Sequence, residues 1–310
     1  MKLVFCGTPQ FAVPNLERLV AAGHDVQLVV TQPDRPQGRG MEVTAPPVKQ
    51  SALRLGLPVT QPEKIKNNDE FRARLAAIQP DAIIVVGYGR IIPGWMLHLP
   101  PYGNINVHAS LLPKYRGAAP IQWAVANGET ITGVTTMRID EGLDTGDILL
   151  TRAMEIGAQD TALTLAPRLA QFGADLLGET LEELQQGTVT PVPQDDFQAT
   201  LAPILKKEDG LVDFSRSATE IHNRLRGFQP WPGAYTRFRG KNLKIVSARV
   251  AEAAPGLAGG ELHVSSDKLL AGCGAGSTLA LLQVQPEGKK PMSARDFISG
   301  YRPAQGERLG

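Results

Sequence analysis

Apolar and polar positions along the chain switch between two periods. Lys2-Leu-Val-Phe-Cys6 is a short apolar run closed by Gly7-Thr8-Pro9. From Phe11 to Ala22 the residues Phe11, Leu16, Leu19 and Val20 fall on one helical face, and Gly23 stops the pattern. Asp25–Val30 returns to strand character, and Asp81-Ala-Ile-Ile-Val-Val86 reads as a strand buried on both faces, preceded by a helix over Asp69–Ile78. Further strands are predicted at Asn104–His108 and Val134–Ile139, and a long helix at Thr161–Gln186. Strands alternating with helices predict an α/β domain whose mostly parallel sheet is covered on both faces.

The pattern changes after Gly187. Pro191, Pro193 and Pro203 mark an extended linker, so the predicted division is a first domain over 1–189, a linker over 190–205 and a second domain over 206–310. The second domain opens with a helix at Ala218–Arg226 and the turn Gln229-Pro-Trp-Pro-Gly233, with Trp231 expected in the core. Short runs at Ala234–Phe238, Leu243–Ala248, Glu261–Val264 and Thr278–Val284, broken by glycines, predict a small β-barrel or open sheet.

Composition adds a charge asymmetry. The whole chain of 310 residues carries a net charge of +1, yet from Lys206 onward there are 16 Lys and Arg against 10 Asp and Glu. Before it stand 16 basic and 21 acidic residues. A basic C-terminal part suits a polyanionic partner, although ordinary surface charge reads the same way. Cys6 and Cys273 are far apart and form no CxxC pair, which excludes a disulfide framework and a familiar thiolate zinc site. The first strand begins at Lys2, leaving no room for a signal peptide, and no apolar run approaches the roughly 20 residues of a membrane span. A cytoplasmic protein, monomeric and without a membrane partner, is expected.

Candidate chemistry concentrates in two stretches. The first is Asn106-Val-His108-Ala-Ser110-Leu-Leu-Pro113-Lys-Tyr-Arg116-Gly-Ala-Ala-Pro120. Residues two apart on a strand share a face, so Asn106 and His108 project together near the strand's carboxyl end, where open α/β sheets hold ligands. A histidine after an apolar strand is by default a structural residue; a second polar side chain beside it argues for a site. The second stretch is Asp140-Glu-Gly-Leu-Asp144-Thr-Gly-Asp-Ile148, too short of ligands for a calcium loop but suited to orienting a histidine.

Asn-x-His-x-Ser-Leu-Leu-Pro with Arg-Gly-Ala-Ala-Pro, then Gly133 through Asp147, resembles the folate-dependent formyltransferase family. That resemblance implies a Rossmann-like N-terminal domain and a small OB-like β-barrel after it. It also implies a 10-formyltetrahydrofolate donor beside Ser110, Leu111, Leu112 and Pro113, with Asn106, His108 and Asp144 as the catalytic trio. The residue types suit the chemistry. An amine attacking a formamide passes through an oxyanion that N–H donors from Asn106 and His108 can stabilise. Asp144 can hold His108 in its donating tautomer or take the amine's proton, and neither a metal nor a covalent enzyme intermediate is required.

The trio alone leaves the acceptor open. The loop Thr31 to Lys49 resembles the insertion of family members that act on initiator methionyl-tRNA, which implies Arg39, with Arg35 and Lys49, as tRNA contacts. Relatives commonly carry two lysines where Met41 and Glu42 stand, and a lysine where Ile204 stands. The runs Lys207-Glu-Asp-Gly and Lys289-Lys-Pro-Met-Ser-Ala resemble the same branch, which adds Lys206 and Lys207, with Arg237, Arg239, Lys241, Lys244 and Arg249 for phosphates. A sugar-nucleotide formyltransferase using the same donor is the alternative. A dinucleotide-binding oxidoreductase lacks its glycine fingerprint, since only Gly7 is present. A non-catalytic RNA-binding module leaves Asn106, His108 and Asp144 unexplained.

Overall fold

A computed structural model describes residues 1–37, 42–251, 256–265 and 267–310. The chain divides into two compact units, the first formed by residues 1–120, 131–155 and 166–202, the second by 121–130, 156–165 and 203–310.

In the first unit the strands are β1 (Lys2–Gly7), β2 (Asp25–Val30), β3 (Arg35–Gln37), β4 (Glu42–Thr44), β5 (Val59–Thr60), β6 (Ala82–Val86), β7 (Asn104–His108), β8 (Ile131–Arg138) and β9 (Ile148–Glu155). Its helices are α1 (Val13–Ala21), α2 (Pro47–Arg54), α3 (Asp69–Ile78) and α4 (Gly94–Leu97); α5 (Pro120–Ala126) and α6 (Ala162–Gln186) follow. Seven strands make one sheet in the order β5-β2-β1-β6-β7-β8-β9. The five from β5 to β7 run parallel, while β8 and β9 are antiparallel. Every residue of β6 is buried, as its unbroken apolar run requires of a strand covered on both faces. On one face Val4, Cys6, Leu28, Val30, Ile83 and Val85 pack with Phe71 and Leu75 of α3. On the other, Gly173 of α6 lies so close to the sheet that a β-carbon there would stand 2.9 Å from Val107 Cγ1. Asn68 caps α3 by accepting from the Phe71 amide at 2.9 Å, and Asp69 and Glu70 favour its positive end.

In the segment after β2, β3 and β4 pair antiparallel and Pro47 opens α2. The stretch expected to be a linker is also not a free spacer through residue 202. Val192 pairs with Ile148 and Leu201 with Arg116, because an extended proline-rich strand can still offer its remaining backbone groups to a neighbour.

The second unit holds α7 (Ala218–Gly227), β10 (Ala234–Phe238), β11 (Lys241–Val250), β12 (Leu262–Val264), β13 (Leu269–Gly272), β14 (Thr278–Pro286), β15 (Met292–Ser293) and α8 (Ala294–Tyr301). The strands form an antiparallel sheet in the order β10-β11-β14-β13-β12, with β15 on β14. Ala218, Ile221 and Leu225 of α7 and Phe297 of α8 share its core with Leu243, Ile245, Leu279 and Leu281. A capping box starts α7: Ser217 Oγ accepts from the Glu220 amide and Glu220 Oε2 from the Ser217 amide. Trp231 is not in the core. It is 54% exposed, since the turn buries its neighbour Pro232 instead. Among the described residues no helix is long and apolar enough to cross a membrane.

Candidate active site

The carboxyl end of β7 presents Asn106 and His108, with His108 only 6% exposed. The loop after β8 brings Asp144 to them. Its carboxylate accepts from Asn106 Nδ2 at 3.4 Å and from the Gly117 amide at 2.9 Å, and its Oδ2 stands 3.6 Å from His108 Nδ1. The three residues expected to act together therefore do meet. One detail differs from expectation. His108 Nε2 lies 2.9 Å from the Tyr115 carbonyl, which can only accept, so that nitrogen carries the hydrogen and already spends it. Presenting it to a substrate oxygen requires that bond to be exchanged. Tyr115 and Asp144 both hold positive φ, 61° and 52°, a costly conformation for residues with side chains and one that clusters at functional sites.

The Ser110–Pro113 turn is bolted to β8 by one hydroxyl. Thr135 Oγ1, fully buried, donates to the Ser110 carbonyl at 2.7 Å and accepts from the Leu112 amide at 3.2 Å. Ser110 Oγ donates to the Lys114 carbonyl at 2.6 Å. The Ser110 hydroxyl and carbonyl and the Leu112 amide are thus spent within the protein. Leu111 is half-buried, and Ile91, 90% exposed, follows the adjacent strand β6 at the same edge of the sheet. The Thr135→Val variant keeps the volume but orphans a buried carbonyl and a buried amide. We expect it to lose about 1–3 kcal/mol of stability, measured by urea unfolding.

The surrounding loops add partners, Gln194, Asp196 and Thr200, that the sequence analysis did not single out. Arg116, 6% exposed, pairs with Asp196 at 2.8 Å, and its guanidinium donates to Gln194 Oε1. The Tyr115 amide donates to Thr200 Oγ1 at 2.9 Å. No periodicity marks these partners, because they lie in the stretch that composition assigns to a spacer.

The residues expected to meet tRNA divide into three groups. Arg39 lies outside the described residues, as does Met41, which stands where relatives commonly carry a lysine. Arg35 on β3 is exposed, as are Lys206 and Lys207. Lys49, by contrast, is committed: its ammonium donates to Asp34 at 2.6 Å and Gln61 at 2.7 Å. Those bonds, that from Lys49 foremost, hold the Asp34 carboxyl below its ordinary range. In the second unit Arg239 is spent on Glu307 and on the Tyr301 and Arg302 carbonyls, whereas Arg237, Lys241, Lys244 and Arg249 are exposed. Burial pushes the Cys6 thiol up and the Cys273 thiol to about 11, so neither offers a thiolate nucleophile at neutral pH. Among the described residues no three His, Cys, Asp or Glu side chains converge on a metal position.

Fold and cluster together define a class. Residues 1–181 match the family described as formyl transferase, and residues 204–302 match formyl transferase, C-terminal domain. The methionyl-tRNA formyltransferase of Koribacter versatilis is 66% identical over 310 residues, covering 100% of this chain and 99% of that one. That of Acidobacterium capsulatum is also 66% identical, over 100% of both. Among solved structures, the N-formyltransferase from Helicobacter canadensis, in complex with folinic acid and dTDP-3-aminofucose, superposes with a TM-score of 0.68. It is 19% identical and covers 92% of this chain and 99% of its own, a likeness of fold. HypX from Aquifex aeolicus, in complex with tetrahydrofolic acid, gives 0.63 at 18% identity, covering 99% of this chain and 48% of that one. The chain belongs to the formyl transferase family, and within it to the methionyl-tRNA formyltransferases.

Proposed function

We propose that this protein transfers the formyl group of 10-formyltetrahydrofolate to the α-amino group of methionine on initiator methionyl-tRNA, acting as a cytoplasmic monomer. The observation that carries the reading is the meeting of Asn106, His108 and Asp144 at the carboxyl edge of β7, in a chain 66% identical end to end to methionyl-tRNA formyltransferases.

The donor supplies the formamide carbon. The turn Ser110–Pro113 is the proposed wall beside its ring system. The attacking nitrogen forms a bond to the formyl carbon, the carbonyl oxygen takes the negative charge, and the bond from carbon to the donor nitrogen then breaks. One proton leaves the attacking amine and one reaches the departing nitrogen, so no net proton is gained or lost. Asn106 keeps one amide hydrogen on Asp144 and has a second for the oxyanion; His108 joins it on exchanging its bond to Tyr115. Asp144, at the same cluster, accepts the amine proton directly or through water. For the tRNA, Arg35, Arg39, Lys206 and Lys207 are the proposed phosphate contacts, with Arg237 and Lys244 in support. Lys49 acts indirectly, by fixing Asp34 at the root of the loop.

Offering the purified protein 10-formyltetrahydrofolate with either methionyl initiator tRNA or an amino-sugar nucleotide tests the reading. Formyl-methionyl-tRNA is the expected product. Formylation of the sugar alone would overturn the acceptor assignment.

A further inference from the structure

Gln194 lies in the stretch whose prolines suggest a spacer, yet its side-chain amide is satisfied on all four positions. Oε1 accepts from Arg116 Nε at 3.0 Å and Nη2 at 2.8 Å, while Nε2 donates to the Asp144 carbonyl at 2.9 Å and the Gly146 carbonyl at 2.7 Å. An amide flipped end for end would set its NH₂ against a guanidinium and its oxygen against two carbonyls, so this orientation alone is satisfied. The next residue after Arg116 is Gly117, whose amide donates to the Asp144 carboxylate at 2.9 Å. Gln194 therefore closes a ring: it grips Asp144 by the backbone on one side and, through Arg116, the segment that grips its carboxylate on the other. Asp144 needs such a grip, because its φ of 52° is one that a residue with a β-carbon leaves readily unless held.

We infer that Gln194 is a positioning residue for formyl transfer, setting the Asp144 carboxylate against Asn106 and His108; the inference rests on the functional reading above. It touches no reacting atom and acts only through Asp144 and the loop at Arg116. Gln194→Glu is the informative variant. It keeps the volume and the Arg116 pair but turns two donors into acceptors facing the Asp144 and Gly146 carbonyls.

We expect kcat to fall roughly 10- to 100-fold through misplacement of the carboxylate. KM for donor and tRNA should stay within about threefold, since binding surfaces are untouched. In an Asp144→Ala background the same substitution should cause no further loss, because the group it positions is gone. Unchanged kcat, or an equal fold-loss in both backgrounds, overturns the inference. Near-normal turnover by Asp144→Ala alone overturns the functional reading and this inference with it. A crippled Asp144→Ala beside an unaffected Gln194→Glu overturns the inference only. Should Gln194→Glu not fold, Gln194→Met carries the same comparison, and failure of both to fold marks the residue as a structural bolt and overturns its positioning role.

Discussion

His108→Ala should lower the rate of formyl transfer by roughly 10²- to 10³-fold, the effect of removing one oxyanion donor from a preorganised site. The size follows from where the ring sits. At 6% exposure its N–H acts away from bulk water, and water entering the space left by the imidazole would be a poorly oriented substitute. The ring is also wedged between the Tyr115 carbonyl and the Asp144 carboxylate, so its loss removes a hydrogen bond from a buried carbonyl. A stability cost of about 1–3 kcal/mol is therefore expected alongside the kinetic one. Single-turnover formylation at saturating donor, run below the variant's unfolding temperature, separates the two. Asn106→Ala in the same background should cost less than it does alone, because the trio works as a unit. A His108→Ala rate within threefold of the parent would remove the ring from the chemistry.

The parts of this site that were legible in the sequence are those where a local rule operates. Period-two spacing put Asn106 and His108 on one face of β7, and an unbroken apolar run marked β6 as the centre of a parallel sheet. The glycines around Asp144 marked a loop, and the family signature tied it to His108. What remained hidden is non-local. Gln194, Thr200 and Asp196 reach Arg116 and Tyr115 from about eighty residues away in sequence, in a stretch where prolines suppress every periodic signal. Thr135 sits in a strand as an unremarkable β-branched residue, and only the fold shows its hydroxyl facing the Ser110 turn. The ion pairs of Lys49 and Arg239 were hidden for a related reason. A cation in a sequence looks available, but Asp34 and Glu307 had already taken these two. Trp231 erred the other way, since general burial tendency says nothing about which residue of a proline-rich turn faces inward.

Gly117→Ala is the second large effect expected, and it joins backbone strain to chemistry. Gly117 has a φ of 119°, a region that L side chains rarely enter. Holding alanine there costs about 1–3 kcal/mol before any clash is counted. The clash is real as well: a β-carbon would stand 2.8 Å from the Ala202 carbonyl oxygen. That oxygen cannot simply retreat, because it accepts from the Ala119 amide at 3.1 Å while the Ala202 amide donates to the Arg116 carbonyl at 2.7 Å. Residue 117 must shift instead, and its amide is the group that holds the Asp144 carboxylate. Displacement by even an ångström is worth roughly 10² in rate at such a site. We therefore expect Gly117→Ala to unfold at lower urea concentration and, while still folded, to turn over roughly a hundredfold more slowly with little change in KM. Were stability to fall with kcat unchanged, Asp144 would keep its place without the Gly117 amide, held by Asn106 and its own loop. The carboxylate would then owe its position to Asn106 on β7 and to the loop that follows β8.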